Sequence, residues 1–261
     1  MADRLAAHAR RVARGAYPMG LVAVLYAAMR RVQNVGVSPD RVHLCDLHAR
    51  EVALFGVPMN GVRVTPNDWW LAHPARALDA LCAVPYATFI VVCIVFAAWL
   101  YGRDYDRMVR FAWCFFALNV VGFLTYHLYP AAPPWYFHAH GCTVDIAAAA
   151  SEGPALARFD AWAGVPYFAR MYASSSAVFG AIPSLHVAYA LLVALEGWSV
   201  FSPAWRAASS AFFALMCFAA VYLDHHWVED VLAGAACSLA VAFVARTVTS
   251  TRFAASLSHA P

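Results

Sequence analysis

Two histidine segments carry the residue types and spacings from which phosphorus chemistry can be built. One is FGAIPSLHVAY, from Phe179 to Tyr189, and the other is YLDHHWVED, from Tyr222 to Asp230. In the second, His226 and Asp230 are four residues apart, so on a helix they share a face. A carboxylate against one imidazole nitrogen fixes the tautomer and leaves the other nitrogen free as nucleophile or base. Asp230 stands in an apolar stretch, where an unpaired charge costs about 3 kcal/mol or more, so it needs a partner, and His226 is the nearest. A structural His–Asp pair without chemistry meets the same need. In the first segment, Pro183 suits a first helical turn, and Ser184 with the N–H groups after it forms a helix start able to cradle a phosphate. His186 follows, placed to donate to an ester oxygen. Taken alone, that stretch reads equally as a helix cap with an interfacial histidine. Metal ligation by His225, His226 and Asp230 ranks last, because neither H-x-x-x-H nor H-E-x-x-H spacing occurs there. No metal and no cofactor is expected.

The elements that must hold these residues are membrane spans. The chain has 261 residues, 63% of them hydrophobic and 13% charged, with a mean hydropathy of +0.59. Soluble domains carry about 25% charged residues, so this composition excludes a disordered chain and points to one all-α integral membrane domain covering residues 1–261. The net charge of +3 is spread thinly, and no basic stripe exists to bind nucleic acid. All 18 basic residues are Arg. Apolar runs predict six transmembrane helices in a bundle, over about 16–35, 85–101, 108–129, 182–201, 204–223 and 227–247. The first is interrupted by Arg30 and Arg31; arginines directly after an apolar run fit an anchored span rather than a cleaved signal peptide.

Arginines near the span ends set the orientation: Arg4, Arg10, Arg11 and Arg14, then Arg103, Arg107 and Arg110, then Arg206, Arg246 and Arg252 fall on one side, which is thereby cytoplasmic. Both termini lie on that side. Segments 36–84 and 130–181 face the other, the second as an outer loop over the site. His186 and His226 then sit at the outer ends of separate spans, and two such motifs at one depth favour phosphoryl transfer over a structural pair. One His attacks phosphorus; the other protonates the leaving alkoxide. Residues 40–56 place Leu44, Leu47, Leu54 and Phe55 near one helical face, predicting an amphipathic helix lying in the interface. Trp69 and Trp70 suit an aromatic belt. His127, His138 and His140 read as interfacial, Glu196 as snorkelling to the cytoplasmic side, and the seven cysteines as packing residues, including the loop pair Cys45 and Cys142. A non-catalytic transporter with a His226–Asp230 proton relay is a third reading.

Three segments also carry a family likeness: YPAAPPWY at 129–136, FGAIPSLH at 179–186 and YLDHHWVED at 222–230, with LARFDAWAG at 156–164 between them. Through them the chain resembles the type 2 phosphatidic acid phosphatase superfamily, and within it the fungal inositol phosphorylceramide synthases, as a bacterial homologue. Other members begin their site with a K-x6-R-P motif and carry an Arg six residues before the last His. Here Lys is absent and that position is Ala220, which favours the transferase branch over plain lipid phosphate phosphatases. Trp227 stands where the family usually has Tyr.

The resemblance implies that His226 attacks a donor phosphodiester, Asp230 orients it, and His186 protonates the departing diacylglycerol and then deprotonates a ceramide hydroxyl. The implied partners are a phosphatidylinositol-like donor and a ceramide-like acceptor, handled on the periplasmic face of a bacterial inner membrane. Arg158, with Arg170 behind it, is a candidate for balancing the phosphate charge. Ser184, Trp135, Tyr136 and His225 are further candidates for substrate contact.

Overall fold

The computed structural model describes residues 2–173 and 178–258. Arg4 and Arg252 have side chains outside that description. Among the described residues, five helices are long and apolar enough to cross a bilayer: α1 (Ala2–Val32), and, in the numbering used below, α4 (Arg76–Tyr101), α5 (Tyr105–Leu128), α10 (Pro203–Tyr222) and α11 (Val228–Ser258). They hold most of each span expected at 16–35, 85–101, 108–129, 204–223 and 227–247: residues 33–35, Tyr129, Leu223 and Trp227 fall outside their helices, and 85–101 lies wholly within α4. The chain is a multi-pass membrane protein. Leu81, Val84, Ile94, Val95, Leu124, Leu239 and Phe243 are exposed along these helices. Such apolar surface on membrane-length helices suits contact with lipid.

The expected span 182–201 is shorter as a helix. α9 (Leu185–Gly197) has 13 residues and reaches about 20 Å, against the ~30 Å of a hydrocarbon core. It is apolar on every side, as a central helix must be. Ten of its residues are buried, and α4, α5, α10 and α11 surround it. The residues missing from its N-terminal end form the approach to the site.

Short elements cover that end: α2 (Cys45–Phe55), a hairpin of β1 (Val57–Met59) and β2 (Val62–Val64), α3 (Pro66–Ala72), α6 (Pro134–His140), α7 (Pro154–Ala163) and α8 (Tyr167–Ala173). Three extended stretches are stitched side by side beneath them. His43 N–H donates to the Pro130 carbonyl and Ala132 N–H to His43, while Ala131 N–H donates to Phe179 and Ala181 N–H to Ala131. The segment 129–136 is thus the middle strip, and it fixes 179–184 beside it.

Three sequence expectations change here. Cys45 and Cys142 form a disulfide, with Cα atoms 5.6 Å apart, while the other five cysteines are free packing residues. Glu196 does not reach for water: its side chain is fully buried, paired with Arg110 at 2.8 Å and Arg246 at 3.4 Å. A carboxylate at the C-terminal end of a buried helix is held by arginines from two neighbouring helices instead. On α2, Leu47 and Glu51 are buried whereas Leu54 is exposed, so the amphipathic helix turns an acidic residue toward the protein.

Candidate active site

The two helix starts that carry the histidines are joined through their backbones. Ser184 caps α9, its Oγ accepting the Val187 N–H, and its own N–H donates to the Asp230 carbonyl at 3.0 Å. Gly234, one turn further along α11, lies against the Ser184 carbonyl so closely that a Cβ there would collide with it. Pro183 stands ahead of the cap rather than in the first turn, and His186 is the second residue of the helix. The N–H groups of Leu185 and His186 have no acceptor within the helix and remain available at its positive end.

His226 is not on α11 at all. It lies in the turn 223–227 that leads into it, where His225 N–H and His226 N–H both donate to the Ala220 carbonyl. Asp230, third in the helix, reaches back. Its Oδ2 accepts the Trp227 N–H at 2.9 Å and meets His226 Nδ1 at 3.3 Å. The spacing of four works through a helix cap and not through a shared helical face. His226 Nε2 then points at His186 Nδ1, 3.3 Å away. The structure brings His186, His226 and Asp230 together in one relay, with Asp230 fully buried and His226 nearly so.

Other groups lock this turn. Glu51 accepts the N–H groups of Val228 at 2.7 Å and Glu229 at 3.4 Å, capping α11 from α2. Burial lifts its carboxyl to about 7 against the pull of those two amides. Asn67 donates to the carbonyls of Val221 and His226. Trp227 Nε1 donates to Ala132, and Trp135 N–H to Asp224. His138 bridges Asp224 and Asp68, each at 2.8 Å. Burial alone would lower its pKa, but the two carboxylates outweigh that and raise it to about 9. Asp68 is likewise held down to about 2 by His138 and Thr65 against the opposing effect of burial. His138 is therefore a cross-brace and not an interfacial residue, while His140 is exposed and His127 is half-buried at the end of α5. Sequence reasoning missed Glu51, Asn67, Asp68, His138 and Asp224. Only the run of ionisable residues about 222–230 hinted that partners were needed.

The relay opens on a cavity of about 610 Å³. Met19, Val22, Ile90, Ile94 and Phe123 line its membrane side, and Trp135, Ser151, Tyr172, His225 and Gly180 its outer side. Among the candidate contacts, Trp135 and His225 reach this wall. Ser184 is buried as the helix cap, and Tyr136 is buried with its hydroxyl accepting the Asp145 N–H. Arg158 points elsewhere: it holds the buried Asp79 at 2.9 and 3.2 Å, with Tyr222 donating to the same carboxylate at 2.7 Å. Arg170 is exposed. No Arg lines the cavity among the described residues, so helix amides and the imidazoles are the groups at hand to balance a phosphate.

Two histidines in contact and a carboxylate behind them, at an apolar cavity, are joined by a family match. The PAP2 superfamily model covers residues 61–244, well over half of the chain. The chain belongs to the PAP2 superfamily. Among curated relatives, it is 35% identical over 237 residues to a phosphoinositol dihydroceramide synthase of Bacteroides thetaiotaomicron, covering 88% of this chain and 75% of that one. It is 34% identical over 173 residues to the inositol phosphorylceramide synthase catalytic subunit aur1 of Schizosaccharomyces pombe, covering 64% of this chain and 40% of the relative. With the AUR1 subunit of Saccharomyces cerevisiae the identity is 29% over 202 residues, 75% of this chain and 47% of that one. The match thus spans less than half of these two fungal proteins. No solved structure matches. These relatives make this member of the superfamily an enzyme, a lipid phosphotransferase of the inositol phosphorylceramide synthase type.

Proposed function

We propose that the chain moves phosphoinositol, or a related head group, from a glycerophospholipid to ceramide and releases diacylglycerol. What carries this reading is the direct approach of His226 Nε2 to His186 Nδ1 at the wall of an apolar cavity, with Asp230 on the far nitrogen of His226. The name of the bacterial relative supports the substrates.

In the first half-reaction, His226 Nε2 attacks phosphorus and the bond from phosphorus to the glyceride oxygen breaks. The imidazolium of His186 gives its proton to that oxygen, forming diacylglycerol. The negative phosphodiester favours the protonated state of His186 on arrival. Asp230 steadies the charge that develops on His226. In the second half, the ceramide hydroxyl loses its proton to His186 and its oxygen attacks phosphorus. The phosphorus–nitrogen bond breaks, its electron pair returns to His226, and the head group leaves on ceramide.

The catalytic end faces the periplasm. The Arg-rich span ends, including the cluster around Glu196, lie at the opposite end of α9, and basic residues favour the cytoplasmic side. The Cys45–Cys142 disulfide lies on the same end as the histidines and suits an oxidising compartment. The reading places the protein in a bacterial inner membrane with both termini inside.

The test supplies detergent-purified protein with phosphatidylinositol and labelled ceramide. A labelled phosphosphingolipid with equimolar diacylglycerol is expected. Release of free phosphate from a phosphomonoester lipid, with no transfer, overturns the reading in favour of a lipid phosphate phosphatase.

A further inference from the structure

Two buried tyrosine hydroxyls at the site have no hydrogen-bond partner among the described residues, those of Tyr86 and Tyr172. A buried hydroxyl without a partner costs about 1–3 kcal/mol, so its persistence points to a ligand that completes it. Tyr86 stacks on His186, with ring centroids 4.6 Å apart, and lies 5.2 Å from His225. Tyr172 stacks on the other side of the site, 4.6 Å from the His225 ring, and lines the cavity.

His225 settles which chemistry fits there. Its Nε2 contacts the Glu152 carbonyl, which can only accept, so Nε2 carries the proton and Nδ1 keeps a lone pair. Gly153, at φ +78°, lets the loop come this close, since a Cβ there would lie 2.7 Å from the Leu223 carbonyl. Burial pushes His225 down to about 3, with the neighbouring His226 adding to the shift, so the ring stays neutral. A lone pair repels phosphate oxygens and accepts from hydroxyls. A tyrosine hydroxyl both donates and accepts. This corner of the cavity is built for alcohols.

The cavity is polarised. Spans α1, α4 and α5 supply mostly apolar lining, with Tyr26, Asn119 and Tyr126 among it, whereas Tyr172, His225, Ser151 and Trp135 come from the outer-face segments beside apolar residues such as Met171 and Val178. The more apolar span side suits the chains of an amphipathic lipid, which sets its head toward Tyr172.

We propose that Tyr172 and His225 form a hydroxyl-recognising subsite that takes the polyol head group carried on phosphorus. The proposal rests on the transfer reading above and extends it, assigning head-group selection to these residues, while His186 and His226 handle the bonds that change.

Tyr172→Phe removes one hydroxyl that has no hydrogen-bond partner among the described residues and leaves the ring on His225. In the transfer assay, the wild type is expected to prefer phosphatidylinositol over phosphatidylethanolamine. The variant should lose about tenfold of that preference, as a raised KM for phosphatidylinositol, with the KM for ceramide unchanged. An equal loss with both donors, or a change in ceramide KM alone, overturns the proposal; the latter assigns the hydroxyl to the acceptor. Capture of labelled phosphatidylinositol by immobilised full-length protein gives a readout free of turnover. Selective capture that Tyr172→Phe weakens about tenfold, in a protein that transfers nothing, sustains the subsite and rejects the transferase. Equal capture of both lipids by the wild type rejects the subsite whatever the turnover.

Discussion

The Asp230 oxygen that meets His226 Nδ1 at 3.3 Å is the same oxygen that accepts the Trp227 N–H at 2.9 Å. One atom fixes both the ring and the backbone that bears it. Asp230→Asn retains the volume and an acceptor for Trp227, but loses the charge that favours the working tautomer. By analogy with amide replacements in catalytic triads, kcat should fall roughly 10³- to 10⁴-fold. The thermal midpoint in detergent should move by only a few degrees. Full activity in this variant contradicts the orienting role.

His186→Ala and His226→Ala should each bring transfer close to background, and the double variant should be no slower than either. In the proposed mechanism nucleophile and acid act as one unit, so their losses do not add. Rapid acid-free quenching with label on the donor head group tests the intermediate: labelled protein is expected from the wild type and none from His226→Ala. A chelator should leave the wild-type rate unchanged, and its loss would revive a metal role for the histidines.

His138 makes stability depend on alkaline pH. Its pKa is raised to about 9 from an ordinary value of 6.5, because Asp224 and Asp68 outweigh the effect of its burial. The folded state thus holds the proton more tightly than the unfolded one. The stabilisation is complete below about pH 6.5 and is lost as pH rises through about 9. Melting curves from pH 6 to 10 should show the wild type falling across that window. His138→Gln should lack that fall and start lower by about 3 kcal/mol, since Asp224 is left buried without its charged partner. A wild-type midpoint that stays flat to pH 10 removes the brace.

Much of this was legible before any coordinates. Long apolar runs announced α1, α4, α5, α10 and α11, because a bilayer imposes a length that local composition cannot hide. His186, His226 and Asp230 stood out as ionisable residues at apolar helix starts. What the sequence concealed is pairing at long range. Glu51 meets Val228 across 177 positions, and His138 meets Asp224 across 86, with no period linking them. Arg158 looked available for phosphate until Asp79, 79 positions away, proved to hold it. Even the His226–Asp230 pair hid its geometry, since a spacing of four reads the same for a helix face and for a cap.

The disulfide offers a test of sidedness. Cys45 and Cys142 close a loop of 97 positions, and breaking such a link typically costs about 2–4 kcal/mol. Reductant should lower the thermal midpoint of the wild type and leave Cys45→Ser/Cys142→Ser unaffected. In intact spheroplasts, a membrane-impermeant thiol reagent should label the chain after reduction and not before. Labelling that requires lysis would put the site on the cytoplasmic side.

Gly234 separates packing from propensity. In an exposed helix interior, Gly→Ala adds stability of up to about 1 kcal/mol. Here the added Cβ would strike the Ser184 carbonyl, in the backbone strip where Ser184 N–H reaches the Asp230 carbonyl at 3.0 Å. The backbone cannot swing aside as a side chain would, so the start of α9 must retreat from α11. Overpacking of this kind costs about 1–3 kcal/mol. The larger consequence falls on the His186–His226 approach, because a shift of about 1 Å can slow catalysis 10²-fold. Gly234→Ala should therefore insert and fold, melt lower than the wild type, and lose far more kcat than donor KM. A variant that melts higher and turns over normally would mean that the contact between the two helix starts does not set the distance between the rings.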